Sequence, residues 1–194
     1  MARTIEIRWH GRGGQGAKTG ALLLATAAYM TGRHVQGFPE YGPERMGAPI
    51  TAYTRISDTE IRNHANIYEP DYVVVVDESL LEKIDVAAGI KPGGAILVNS
   101  ARSVEEVTAD IRGYDGDVYV IDANGISRET MGKVFPNIPL LTAIVRLLDI
   151  MDDQFYIDEM EKSLQHKFAS KPEVVAGNLK AIYRTLEEMN NYEH

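Results

Sequence analysis

The sequence contains no cysteine. That excludes disulfides, thiolate nucleophiles, cysteine-ligated zinc and ordinary cysteine-held iron–sulfur clusters. If the protein takes part in redox chemistry, its electrons travel through another chain or a non-covalently bound organic cofactor. Positive charge is scarce too: 20 Lys and Arg stand against 28 Asp and Glu, a formal net charge of −8. Nucleic acids and acidic membranes need a positive field, so neither is expected as a partner. No apolar run approaches the roughly 20 residues that cross a bilayer. The N-terminal MARTIEIRWHG lacks the apolar segment and cleavage site of a signal peptide, so the expected location is the cytoplasm. No repeat, low-complexity tract or Pro/Ser-rich linker interrupts the chain, and neither G-x-S-x-G nor H-E-x-x-H occurs. The five histidines are scattered without metal-ligand spacing, so no metal site is expected.

What remains is ordinary globular material: 194 residues, 44% hydrophobic, enough for one well-cored domain over residues 1–194. TIEIRWH alternates apolar and polar residues and reads as a first strand. AKTGALLLATAAYM is a helix, apolar almost all round and therefore buried on two sides, with Gly32 following its end. HVQGF is a short second strand, and ITAYTRIS alternates like a strand with one wet face. DYVVVVD, GGAILVNS and DVYVIDAN carry continuous apolar runs, the mark of central strands covered on both faces. Between the last two, Ser103 and Glu106 stand at capping-box spacing and open a helix that ends near Gly113. From Pro139 the pattern is helical through LLTAIVRLLDIM and YIDEMEKSLQHKF. A last helix starts after Ser170, with Pro172 in its first turn and Glu173 completing a second capping box. The expected fold is α/β: a Rossmann-like three-layer sandwich, its sheet mostly parallel, with the C-terminal helices packed on it.

The unusual local chemistry begins at WHGRGGQGAKTG. Gly11, Gly13 and Gly16 fit G-x-G-x-x-G between a strand and a helix, the context in which loop amides and a helix N-terminus take a phosphate. The dinucleotide fingerprint also wants an acid at the end of the second strand to hold the ribose. Here that strand ends in Gly and Phe, and Glu40 follows in a proline-bounded loop. A P-loop is a near miss: Ala17 intervenes before Lys18 and Thr19, and one residue of slip turns a helical side chain by about 100°. A third reading is a tight strand-to-helix turn with no ligand. Asp77, Glu78 and Asp122 lie at strand ends, where ligands sit in such sheets, but Asp there reads first as a helix cap. His10 reads as a hydrogen-bonded structural residue.

The second unusual stretch is FPEYGPERMGAP, residues 38–49. It sets Phe38, Tyr41 and Met46 beside Glu40, Glu44 and Arg45 on a proline-braced loop. Aromatics, Met and Arg are enriched at protein interfaces, so this loop reads as a binding surface.

Together, GRGGQGAK and FPEYGPERMGAP resemble the gamma subunit of the 2-oxoacid:ferredoxin oxidoreductases. The resemblance runs on through PDYVVVVDESLL, KPGGAILVNS and IPLLTAIVRLLDI to the last helix. It implies a subunit of a multi-subunit oxidoreductase, inactive alone. Such enzymes decarboxylate a 2-oxoacid oxidatively on thiamine diphosphate, pass electrons through iron–sulfur clusters to ferredoxin, and release an acyl-CoA. With no cysteine and no G-D-G…N-N thiamine motif, this chain binds none of these cofactors alone. Thiamine diphosphate, Mg²⁺, the clusters and CoA are expected in the whole complex, with alpha, beta and delta-type subunits as partners and ferredoxin reached through them. Pyruvate is the first expectation for substrate; 2-oxoglutarate and branched-chain 2-oxoacids are alternatives, as is a free-standing NAD(P)- or FAD-binding oxidoreductase. No catalytic residue is assigned. Gly11, Arg12, Gly13, Gly14, Gln15, Gly16 and Lys18 form the candidate CoA-phosphate region. Phe38, Glu40, Tyr41, Pro43, Glu44, Arg45 and Met46 form the candidate partner interface.

Overall fold

A computed structural model of the chain describes residues 3–40 and 46–192. Six strands form one sheet: β1 (Thr4–Arg12), β2 (His34–Pro39), β3 (Pro49–Ser57), β4 (Tyr72–Val75), β5 (Ala95–Asn99) and β6 (Asp117–Ile121). Their order is β2-β3-β1-β4-β5-β6. β4, β5 and β6 follow β1 in parallel, whereas β3 runs antiparallel to both of its neighbours. The sheet is therefore mixed. β2 and β3, consecutive in sequence, pair antiparallel, whereas parallel strands need crossover connections.

Among the described residues there are six α-helices, α1 (Ala17–Tyr29), α2 (Val104–Asp110), α3 (Ala123–Met131), α4 (Asn137–Leu148), α5 (Asp153–Lys167) and α6 (Pro172–Met189), and two short 3-10 helices at Glu78–Leu80 and Asn190–Tyr192. The odd residues of β1, Ile5, Ile7 and Trp9, point into the main core with α1, α4 and parts of α5 and α6. α4 is the hub. Its Ile138–Val145 run is buried without a break, as an all-round apolar helix must be. α1 lies between the sheet and α4, which accounts for its two buried sides. Trp9 is fully buried and gives its indole N–H to Thr54 Oγ1 at 3.1 Å.

The opposite layer is thin. It holds the short α2 and irregular chain between 58 and 94. Irregular segments leave carbonyls without partners, and buried arginines of the sheet supply the donors. Arg8 donates to the carbonyls of Val86 (3.0 Å) and Ala88 (2.6 Å). Arg55 donates to those of Asn63 (2.9 Å) and Ala65 (3.1 Å), and to Glu6 across the strand pair (2.8 Å). These contacts overturn the expectation of a wet face on β3: Ala52–Ser57 are all buried. Its polar residues are covered by chain that they themselves anchor.

At the helix ends, the Ser103–Glu106 capping box forms in both directions. The second expected box does not. α6 is capped at Lys171 with no side-chain bond, although Pro172 takes the first turn as expected. α3 was not expected at all. Its residues ANGISRETM are mostly weak helix formers. It is held by Asp122, whose Oδ1 accepts the Gly125 N–H at 2.7 Å, and is stopped by left-handed Gly132.

The β6 edge is closed by the chain end. Tyr192 Oη donates to the Val120 carbonyl (2.7 Å) and accepts the Val120 N–H (3.1 Å). One side chain thereby satisfies two groups that an edge strand leaves open. Tyr192→Phe is expected to lower stability by about 1–3 kcal/mol, the cost of leaving partly buried backbone groups unpaired. Urea unfolding measures it; an unchanged midpoint means that water replaces the hydroxyl.

Candidate functional site

The chain leaves β1 toward one face of the sheet and β4 toward the other. At such a switch point the strand ends part and open a crevice. Here the crevice is a cleft of about 800 Å³ beyond the carboxyl ends of β1, β4, β5 and β6. Gly13, Gly14, Gln15, Gly16 and Lys18 line it, whereas Gly11 and Arg12 do not. Gly11 is buried inside β1, where a Cβ would come within 2.8 Å of that of Ala17. It lets strand and helix approach. Gly16 caps α1 with φ +92°, and a Cβ there would fall on the Asn137 amide. Glycine is required at both places for different reasons: contact at one, backbone conformation and contact at the other.

Three helices begin at this cleft. α3 is capped by Asp122, whereas α1 and α4 have no side-chain cap and no acid in the first turn. Their first-turn N–H groups and positive dipole ends face the cleft region unneutralised. The carboxylates along the wall are already committed. Asp77 Oδ2 accepts from Arg12 Nε (3.1 Å) and Gln15 Nε2 (2.7 Å), while its Oδ1 accepts the Ser79 N–H (3.0 Å). Partial burial pushes the Asp77 carboxyl up, but hydrogen bonds from Ser79 and Gln15 and the charge of Arg12 outweigh it and hold it below the usual value. Glu78 takes the Ser100 hydroxyl (2.5 Å) and Arg102 Nε (2.9 Å). Lys18 and Arg128 also line the cleft, and their side chains make no hydrogen bond or ion pair with the described residues. The cleft thus offers two uncommitted cations and two open helix N-termini, an arrangement suited to a polyanion.

The two nucleotide readings of the loop fare differently. β3 sits between β1 and β2, which puts any acid at the end of β2 about two strand spacings, roughly 10 Å, from β1. The dinucleotide geometry, with the second strand beside the first, is absent. Lys18, one residue out of register for a P-loop, lines the cleft as the candidate phosphate region requires, because α1 begins at Ala17 and keeps Lys18 in its first turn.

The FPEYGPERMGAP stretch is partly described. Phe38 is half-buried against Tyr53, ring centroids 5.2 Å apart; Glu40 is exposed; Met46 is 95% exposed. Tyr41, Pro43, Glu44 and Arg45 lie outside the described residues. The two unusual stretches meet: Gly13 bridges to Met46, and its N–H reaches the Ala48 carbonyl at 2.9 Å. Sequence reasoning missed Arg128 and Asn137. Arg128 rides on the unexpected α3, and the signal available was Asp122 followed ten residues later by Gly132.

His10 is not part of this cleft. It is buried on β1, and its Nε2 accepts from Arg8 Nε at 3.1 Å. Burial first, then the Arg8 charge, push its pKa down to about 3, so it stays neutral at physiological pH and serves as a structural acceptor.

Residues 6–188 match the family model described as pyruvate ferredoxin/flavodoxin oxidoreductase. The chain belongs to this family. It is 42% identical over 189 residues to the "Pyruvate/ketoisovalerate oxidoreductases common subunit gamma" of Thermococcus litoralis, covering 97% of this chain and 99% of that one. It is 41% identical over 187 residues to "Pyruvate synthase subunit PorC" of Thermotoga maritima, covering 95% and 94%. The crystal structure of pyruvate oxidoreductase subunit PORC from the same organism superposes with a TM-score of 0.80 at 38% identity, covering 95% of this chain and 96% of that chain. As a member of the pyruvate ferredoxin/flavodoxin oxidoreductase family, the chain has the α/β fold of these oxidoreductase subunits. Its own residues do not fit a cysteine-held cluster, because it has no cysteine. Among the described residues there is no helix long and apolar enough to span a membrane, and no group of three or more metal-ligating side chains.

Proposed function

We propose that this chain is the gamma subunit of a pyruvate:ferredoxin oxidoreductase. The assembled enzyme converts pyruvate, CoA and oxidised ferredoxin into acetyl-CoA, CO₂ and reduced ferredoxin, reversibly. Thiamine diphosphate, when bound by the partner subunits, stabilises the carbanion left by decarboxylation. In this reading the gamma chain binds the phosphates of CoA in the cleft and seats its 38–49 loop on a catalytic partner, in an assembly with alpha, beta and delta-type subunits. The observation that carries the CoA part is the pair Lys18 and Arg128, uncommitted in a cleft where two helices begin uncapped. The relatives' names support pyruvate as substrate.

Those names also favour a second reading. The Thermococcus relative is described as common to pyruvate and ketoisovalerate oxidoreductases, so a chain of this kind can serve two enzymes whose substrate pockets lie in other subunits. The test is a substrate series on the native complex: ferredoxin reduction with pyruvate, 2-ketoisovalerate and 2-oxoglutarate, each with and without CoA. CoA-dependent reduction with pyruvate is expected. Activity with ketoisovalerate in a second complex that contains the same chain establishes the shared-subunit reading. Activity with 2-oxoglutarate and none with pyruvate defeats the substrate assignment.

A further inference from the structure

We propose that Arg12 is a positioning residue: it clasps the 46–49 arm of the docking loop to the rim of the cleft, so that a partner seated on that loop meets the cleft in one register. The proposal rests on the reading of residues 38–49 as a partner surface.

Two features place Arg12 in this role. The first is where its donors go. Nε reaches Asp77 Oδ2 (3.1 Å), Nη2 reaches Ser79 Oγ (2.8 Å), and Nη1 reaches the Gly47 carbonyl (3.1 Å). One guanidinium therefore ties the end of β1 to the turn after β4 and to the loop arm. Its side chain is only 19% exposed and does not line the cleft. The second is how the arm is otherwise held among the described residues. Gly13 accepts the Gly47 N–H (3.1 Å) and donates to the Ala48 carbonyl (2.9 Å). Gly13 offers no side chain, and the Met46 side chain stands almost fully in solvent. Pro49, at the end of the arm, pairs with Arg12 in the β1–β3 ladder, so among the described residues backbone pairing holds the arm and the Arg12 fork is the side-chain brace added to it.

The division of labour between neighbours is specific. Gln15 shares Asp77 Oδ2 with Arg12 but lines the cleft, as does Lys18. Arg12 serves the loop, and Lys18 serves the anion. A lysine at position 12 keeps the charge, but a compact ammonium does not reproduce the fork that reaches Gly47 and Ser79 together. Charge and clasp are therefore separable by substitution.

The test uses the full chain with Arg12→Lys, Ser79→Ala and, as comparator, Lys18→Ala. Three quantities are read: amide exchange at Gly47 and Ala48, affinity for the remaining subunits, and CoA retained by the reassembled complex. Arg12→Lys is expected to speed exchange at Gly47 at least tenfold and to weaken subunit association about tenfold. CoA retention should stay within twofold of wild type. Ser79→Ala should move exchange and association the same way by a smaller factor, without touching a charge. Lys18→Ala should do the reverse, lowering CoA retention and leaving association unchanged. Wild-type exchange at Gly47 in a folded Arg12→Lys chain overturns the proposal. So does wild-type association, and so does a loss of CoA as large as that of Lys18→Ala. If Lys18→Ala leaves CoA retention by the complex unchanged, the cleft reading falls, while exchange and association still decide the clasp.

Discussion

In the assembled enzyme, Lys18→Glu combined with Arg128→Glu is expected to raise the KM for CoA about a hundredfold while kcat at saturating CoA changes less than threefold. Both side chains are cations with no partner among the described residues, and both line one cleft. A hydrogen bond to a charged group is worth about 1.5–3 kcal/mol. Both groups are exposed, so the low end applies, and two such contacts give roughly the 2.8 kcal/mol of a hundredfold change. Reversal rather than removal of charge also sets repulsion against the phosphates. The effect should shrink as ionic strength rises, because exposed charges are screened within about 10 Å at 0.1 M salt. kcat is spared because phosphate contacts remote from the thiol bind ground state and transition state alike. A KM within twofold of wild type removes CoA from this cleft.

Acidification is expected to destabilise the chain in a way traceable to His10. The folded pKa is pushed down to about 3, by burial and then by Arg8, against about 6.5 unfolded. A base depressed in the folded state leaves the unfolded state holding more protons between the two values. Stability therefore falls as pH drops through 6.5 and continues to fall toward 3; above 6.5 the group contributes nothing to the pH dependence. The slope approaches 1.4 kcal/mol per pH unit, so about 2 kcal/mol is lost by pH 5. His10→Gln keeps an acceptor for Arg8 Nε and cannot be protonated. Urea midpoints at pH 7.5, 6.5 and 5.5 should fall more steeply for wild type than for the variant. The other four histidines are common to both chains and cancel in the difference. Parallel curves would contradict the assignment.

Much of the fold is legible in the residues. The VVVV run at residues 73–76, which runs through β4 and continues one residue past it, is buried on both faces because helices and loops cover both. Ser103 and Glu106 form the box their spacing predicts. Asp77 and Asp122 are caps, as the preference for Asp before a helix suggests, although Asp77 also orders Arg12 and Gln15. The losses have physical causes. Alternation in β3 marked a half-exposed strand, but nothing local in TAYTRIS says that Arg55 will bind carbonyls eight and ten residues on and draw that chain over the strand. α3 has weak propensity and stands by capping and by packing on α4 and α6. The cleft was legible only by half: its glycine loop is a contiguous motif, whereas Arg128 and Asn137 arrive from elements more than 100 residues away.

The measurement closest to the central claim compares three preparations: the chain alone, the partner subunits without it, and the reassembled complex. Each is assayed for pyruvate-driven ferredoxin reduction, iron content and NAD(P) binding. The chain alone should be colourless, inactive and blind to NAD(P), and only the reassembled complex should form acetyl-CoA. Ferredoxin reduction or NAD(P) binding by the chain alone, or full CoA-dependent activity without it, would contradict the account.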